Sequence, residues 1–157
     1  ERRRRAVLVF ALDRQRDGKG GQRAVNDFHA LKNLAVLCWY TVEFGLIKKP
    51  EGLRIYGSGI VSSRSESIHA VESPSPNRIG FDLERVMRTE YRIDDFQETY
   101  FVLNDFDDLL RLADIDFGEL YQRVGRMRDL EPGELLPDDR VLVRGTGRYH
   151  AHKRKTS

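Results

Sequence analysis

Between Gln22 and Ile47, apolar side chains return at three- and four-residue intervals: Ala24/Val25, Phe28, Leu31, Leu34/Ala35, Cys38, Val42 and Phe44/Ile47. This is the helical period, and it predicts the best helix in the chain. Gly18-Lys19-Gly20-Gly21 breaks the chain before it, and Asn26 or Asp27 can cap it. Gly45 and then Pro50-Glu51-Gly52 end it. Downstream the pattern shortens. Leu53 to Tyr56 alternates like a strand, Gly57-Ser58-Gly59 reads as a flexible break, and Ser67 to Val71 reads as a second strand. Ser73 to Asn77 is a turn or loop, and Asp82 can cap a short helix over Leu83 to Arg88. Tyr91-Arg92-Ile93 and Thr99 to Leu103 read as short strands. Helices are expected through Leu109, Leu110 and Leu112, capped by Asn104 or Asp105, and over Phe117 to Met127. A last ordered piece is expected over Asp139 to Arg144. The fold class is therefore α+β: mainly α, with short β-strands.

The chain has the length of one domain, 157 residues, and 39% of them are hydrophobic, so a packed core is within reach. No apolar run approaches the roughly 18 residues that span a bilayer. Ala6 to Leu12 behind Arg2–Arg5 imitates a leader, but Asp13-Arg14-Gln15-Arg16 follows it instead of a small-residue cleavage site. A single cysteine, Cys38, excludes an internal disulfide and suits a cytoplasmic location. The net charge of +2 conceals basic ends around an acidic middle. Residues 94–119 hold nine acids against one base, Arg111. A nucleic-acid domain carries its basic face within the fold, so solvated ends are favoured over nucleic-acid binding.

Few residues here can carry chemistry. Glu43 lies deep in the apolar helix, where a carboxylate is expensive unless paired or metal-bound. Trp39, four residues earlier, shares its helical face. Such a carboxylate could be a metal ligand, a general acid or base, or half of an internal ion pair. Gly57 to Ser63 is not a phosphate loop, because no lysine follows and no full GxGxxG is present. Its glycines still permit close backbone approach to a ligand, and its serines supply short donors or simply cap helices. His29, His69, His150 and His152 form no HxxxH or HExxH pair. His29 reads as a helix-surface residue, His69 as a strand residue, and His150 and His152 as solvated. Cys38 reads as a small core residue.

Trp39-Tyr40-Thr41-Val42-Glu43-Phe44-Gly45-Leu46-Ile47, followed by Ile55-Tyr56-Gly57-Ser58-Gly59-Ile60-Val61-Ser62-Ser63, closely resembles the biopterin-dependent aromatic amino acid hydroxylases, nearest their bacterial phenylalanine-hydroxylating branch. The resemblance continues through Tyr91 to Gln97, Tyr100-Phe101-Val102, Leu136 to Val141 and Arg144-Gly145-Thr146-Gly147. Upstream, Val9-Phe10-Ala11 and Gly18 to Gly21 keep the same spacing. It implies a mainly helical fold around a non-haem Fe(II) held by two histidines and a glutamate. It also implies hydroxylation of L-phenylalanine to tyrosine with O2 and tetrahydrobiopterin or a related tetrahydropterin. By that resemblance Glu43 is the carboxylate metal ligand. Trp39 lines the amino-acid pocket, Gly59, Ser62 and Ser63 contact or support substrate, and Ser62 orients an iron-bound histidine.

The family's HDxxGHxP-like histidine motif is not in this sequence, and extending the match backwards places its second histidine at about residue 1. Residues 1–147 are thus expected to be the C-terminal part of the catalytic domain, and residues 148–157 a disordered basic tail. With no long leucine heptad after residue 147, a monomer is expected. The alternatives are an inactive remnant and a basic-tailed binding module.

Overall fold

The helix expected over residues 22–47 is realised in its first two-thirds. The computed structural model describes residues 23–156. The basic Arg2–Arg5 segment, the leader-like Ala6 to Leu12 and the Gly18–Gly21 break lie outside that range. Helix α1 spans Arg23–Cys38, so the residues expected as caps, Asn26 and Asp27, lie inside it. Trp39–Glu43 then widen into one π-helical turn, closed by the Phe44 amide donating to Trp39 O at 2.8 Å. Leu46–Lys49 form strand β1 rather than a last helical turn. The cause is Gly45: a Cβ there would stand 2.2 Å from the Tyr56 ring, and its carbonyl accepts from the Tyr56 and Gly57 amides. The chain therefore leaves the helix at this residue. Leu34 and Leu37 carry the buried side of α1, continued by Tyr40 in the π turn, whereas Leu31, counted in the apolar stripe, is 55% exposed.

Strand β2, Gly52–Ile55, returns antiparallel on β1. Two short helices follow, α2 over Ser58–Val61 and α3 over Arg64–Val71. Both replace sequence expectations: the glycine segment is the entry to a helical turn, and the expected second strand with His69 is helical. The reason for α3 is a cap. Ser63 Oγ accepts from the Glu66 amide at 3.3 Å, the Ser-x-x-Glu arrangement that starts helices. After strand β3, Asn77–Gly80, comes helix α4, Leu83–Met87, capped by Asp82 as expected. Strand β4 is Thr99–Leu103, and α5, Asp107–Leu110, runs into a 3-10 turn over Arg111–Asp114. Helix α6 spans Phe117–Val124, strand β5 Val141–Val143 and helix α7 Arg148–Thr156. No helix among the described residues is long and apolar enough to cross a membrane.

The five strands lie in the order β2-β1-β4-β3-β5, with β4 parallel to both neighbours and the outer pairs antiparallel. Every residue of β4 is buried, as an apolar run in a sheet covered on both faces should be. Phe101 packs with Leu34, Leu37, Tyr40, Val86 and Leu120. Tyr100 and Val102 belong to a second cluster with Leu46, Ile60 and Ala70. Alternation along one strand thus joins two cores.

Tyr91-Arg92-Ile93, expected as a strand, has no sheet partner among the described residues. The fully buried Gln97 replaces one: its amide accepts from the Arg92 N–H at 3.1 Å and donates to the Arg92 carbonyl at 2.6 Å. The basic segment expected to be a disordered tail is helix α7 up to Thr156, with His150 only 5% exposed. Its base is tied down by the Gly147 amide on Ser75 O (2.9 Å) and the Tyr149 amide on Ser75 Oγ (3.0 Å).

One buried ion pair links α4 to the chain before β5. Arg85 Nε donates to Asp139 Oδ1 at 2.8 Å, with both side chains 5% exposed. The guanidinium also reaches Thr89 Oγ1 and the Glu134 carbonyl, and Asp139 Oδ2 accepts from the Leu136 amide. Removing one partner of such a pair strands the other charge. Asp139→Ala is therefore expected to cost about 3–5 kcal/mol, measured as a lowered urea midpoint, with the larger loss for Asp139→Ala than for any exposed acid.

Candidate active site

The π turn is what aims Glu43. Single π-helical turns shift the residues they contain relative to a regular helix and recur at functional sites. The Glu43 side chain is half-buried, and Ser58 Oγ donates to its Oε2 at 3.0 Å and to the Val42 carbonyl at 3.1 Å. Among the described residues Glu43 has no ion-pair partner.

Two glycines allow this approach. A Cβ on Gly57 would stand 2.3 Å from the Glu43 carbonyl oxygen, closer than real atoms come. A Cβ on Gly59 would stand 3.1 Å from both Glu43 O and Glu43 Oε2. Trp39 stacks on Phe44 (centroids 4.9 Å) and on Tyr91 (4.5 Å), so its ring belongs to an aromatic layer beside the carboxylate. Its indole N–H is buried without a partner among the described residues. Ser62 Oγ donates to Gly59 O at 2.8 Å and is exposed, while Ser63 caps α3.

Beside this layer lies a cavity of about 360 Å³. Phe44, Gly59, Ser63 and Glu66 form its inner side; Ile93 to Phe96, with Tyr149 and Lys153 of α7, form its outer side. Of the residues singled out in the sequence, Gly59 and Ser63 line the cavity. Glu43 stands directly behind Gly59, and Trp39 lies behind Phe44. Glu66, the Ile93–Phe96 segment and α7 were not anticipated. The signals were present: the Ser63-x-x-Glu66 cap, the Asp94-Asp95 pair, and Tyr149 and Lys153 one helical turn apart.

Electrostatics divides the cavity. Burial pushes the Glu66 carboxyl above its usual range, against a hydrogen bond from Tyr100 OH. Burial lowers His69 to about 4, so its ring is neutral at pH 7, with Nε2 3.3 Å from the Gln97 carbonyl. At Asp95, burial works against the charge, but hydrogen bonds from Lys153 and Tyr149 outweigh it and hold the carboxyl low. His69 and His150 are buried rather than a strand residue and a solvated one, and their ring centroids are 6.4 Å apart.

No three His, Cys, Asp or Glu side chains among the described residues converge as a metal site. Glu43 matches the carboxylate of a two-histidine, one-carboxylate iron centre in chemistry, with one oxygen engaged by Ser58. The described residues therefore fit one ligand of that centre and do not hold the ion by themselves.

Comparison with known proteins gives a consistent picture. The profile of the biopterin-dependent aromatic amino acid hydroxylases matches residues 24–123. The chain is 57% identical over 141 residues to a phenylalanine-4-hydroxylase of Caulobacter vibrioides, covering 90% of this chain and 48% of that protein. Against the Ralstonia nicotianae phenylalanine-4-hydroxylase, identity is 54% over 138 residues, 88% of this chain and 44% of the other. The iron- and phenylalanine-bound crystal structure of the Chromobacterium violaceum phenylalanine hydroxylase superposes with a TM-score of 0.71 at 51% identity, over 77% of this chain and 44% of that one. The chain thus spans about half the length of the relatives it matches.

Two outcomes follow. Gly57→Ala must displace the Glu43 backbone, and overpacking of this kind is expected to cost about 1–3 kcal/mol, read as a fall in Tm. Burial, with Glu43 adding to it, raises the Cys38 thiol from 9.0 to about 11. At pH 7–8 its thiolate fraction is about 100-fold below that of an ordinary cysteine, and its alkylation rate should keep climbing until pH reaches about 11. A rate that levels off near pH 9 would contradict this burial.

Proposed function

Because the chain belongs to the biopterin-dependent aromatic amino acid hydroxylase family, we propose that it supplies the carboxylate-bearing half of a phenylalanine 4-monooxygenase site, which converts L-phenylalanine to tyrosine with O2, a tetrahydropterin and non-haem Fe(II). The observation that carries this reading is Glu43: a carboxylate on a π turn, steadied by Ser58, without an ion-pair partner among the described residues, and next to a glycine that opens onto a cavity.

Glu43 is the iron ligand in this proposal, and two histidines from outside residues 23–156 complete the set. Iron and pterin, when bound, supply the activation of dioxygen. The chain's own residues do the rest. Ser58 fixes one carboxylate oxygen, and such outer hydrogen bonds set ligand orientation. Gly59 leaves room for a ring beside the carboxylate. Phe44, with Trp39 and Tyr91 behind it, offers an apolar aromatic wall. Ser63 presents a hydroxyl at the cavity, and Ser62 closes the turn that holds Gly59 in place. The cavity is roomy enough for a single aromatic amino acid, within the lower range of small-molecule sites. A monomer in the reducing cytoplasm, with no nucleic-acid partner, completes the proposal.

The test is tyrosine formation by the full-length protein with Fe(II) and tetrahydropterin. Glu43→Ala is expected to reduce it by at least about 100-fold together with iron retention, since losing one ligand of three leaves an open and weak site. Normal turnover and iron content in that variant would remove Glu43 from the ligand set.

A further inference from the structure

One loop, residues 93–96, lines the cavity beside α7, and no strand among the described residues pairs with it. Its inner end is tied by the Gln97 amide described above. Its outer end is tied by Asp95, and most of the partners there come from one helix. Tyr149 OH donates to Asp95 Oδ1 at 2.9 Å, and Lys153 Nζ donates to Oδ2 at 2.8 Å. His150 Nδ1 lies 3.7 Å from the same oxygen. The Phe96 amide closes on Oδ1 at 2.9 Å. The neighbouring Phe96 ring is gripped between His69 (4.5 Å, stacked) and Tyr149 (5.0 Å).

Helix α7 can bear this load because its first turn is itself anchored on Ser75, after a left-handed Gly147 (φ 64°) that turns the chain into it. Charge points the same way. Glu66, Asp94 and Asp95 crowd one cavity, and among the described residues Lys153 is the cation that lines it with them. The loop also presents Ile93, a large apolar side chain that is 73% exposed and stands at the cavity's edge.

We propose that helix α7 is a clasp that sets the 93–96 loop as the outer wall of the amino-acid site, with Asp95 the positioning residue through which Tyr149 and Lys153 act. The identity of the amino acid rests on the function proposed above; the clasp itself does not. The side chains of Ile93 and Phe96 then meet the substrate at a distance set by α7. Loosening α7 weakens substrate binding more than it slows turnover.

The test uses the full-length protein with Lys153→Ala, Tyr149→Phe and Lys153→Arg. Lys153 is half-exposed, so its replacement leaves the core intact. Amide hydrogen exchange is read first, without substrate. Losing a hydrogen bond to a charged group should speed exchange at residues 94–97 by about tenfold or more in Lys153→Ala. Exchange in 99–103 should stay the same, and Lys153→Arg should restore protection. Steady-state kinetics follow: KM for L-phenylalanine should rise by about fivefold or more, with a smaller change in kcat. Unchanged exchange at 94–97 overturns the clasp. Faster exchange with an unchanged KM makes α7 a structural brace only, and overturns its role in the site. If the unsubstituted protein makes no tyrosine, the function proposed above has failed, and the exchange result still decides whether the clasp exists.

Discussion

The contact on which the rest of this structure depends is the crossing of residues 57–59 over the backbone of residues 43–45. Two backbones can approach this closely only where no Cβ intervenes: a Cβ on Gly57 would collide with the Glu43 and Gly45 backbone, while one on Gly45 would collide with the Tyr56 side chain and the Thr41 carbonyl. The crossing ends α1, opens β1, and brings the Ser58 hydroxyl to the Glu43 carboxylate. It also places Gly59 between that carboxylate and the cavity. Fold and candidate site are therefore set by the same contact, and a side chain added there would disturb both.

A second feature is how much loop structure is held by side chains standing in for backbone partners. Gln97 takes both hydrogen bonds that a neighbouring strand would give Arg92. Arg78, buried in β3, donates to the carbonyls of His69, Ala70 and Ser73 and so closes the end of α3. Arg85 and Asp139 do the same for the chain before β5. Each group is buried and satisfied, as unpaired buried polar groups are costly. Beyond the ends of the short strands, these side chains hold the neighbouring backbone. The cavity's outer wall belongs to this class, held by Gln97 on one side and α7 on the other.

Much of this was legible. Strands β2 and β4, the Asp82-capped helix and the start of α6 follow from local alternation and spacing, because those signals need no distant partner, whereas α6 stops at Val124, three residues short of the expected Met127. Glu43 stood out for its cost in an apolar stretch, and the family motif assigned it a role that the geometry accommodates. The misreadings share one cause. Residues 44–47 continue a helical spacing, but leave the helix because Tyr56 packs on Gly45. Residues 67–71 looked extended, yet the Ser63 cap begins a helix before them. Residues 91–93 alternate, but the loop gains a side-chain partner instead of a strand. Residues 148–156 are basic and polar, and are ordered by Asp95 and Ser75, which lie more than fifty positions away.

The sequence by itself determined the family, the α+β class and the central apolar strand, and it singled out the Glu43 carboxylate as a candidate. These rest on residue chemistry and short-range spacing, which any chain carries openly. Only the tertiary structure decided that Glu43 accepts a hydrogen bond from the Ser58 hydroxyl, and that a basic helix lends Tyr149 and Lys153 to the cavity lining. Those outcomes depend on pairs far apart in the chain, Glu43 with Ser58 and Asp95 with Tyr149 and Lys153. Such pairs form only when the sheet and its glycine crossing bring them within hydrogen-bond reach.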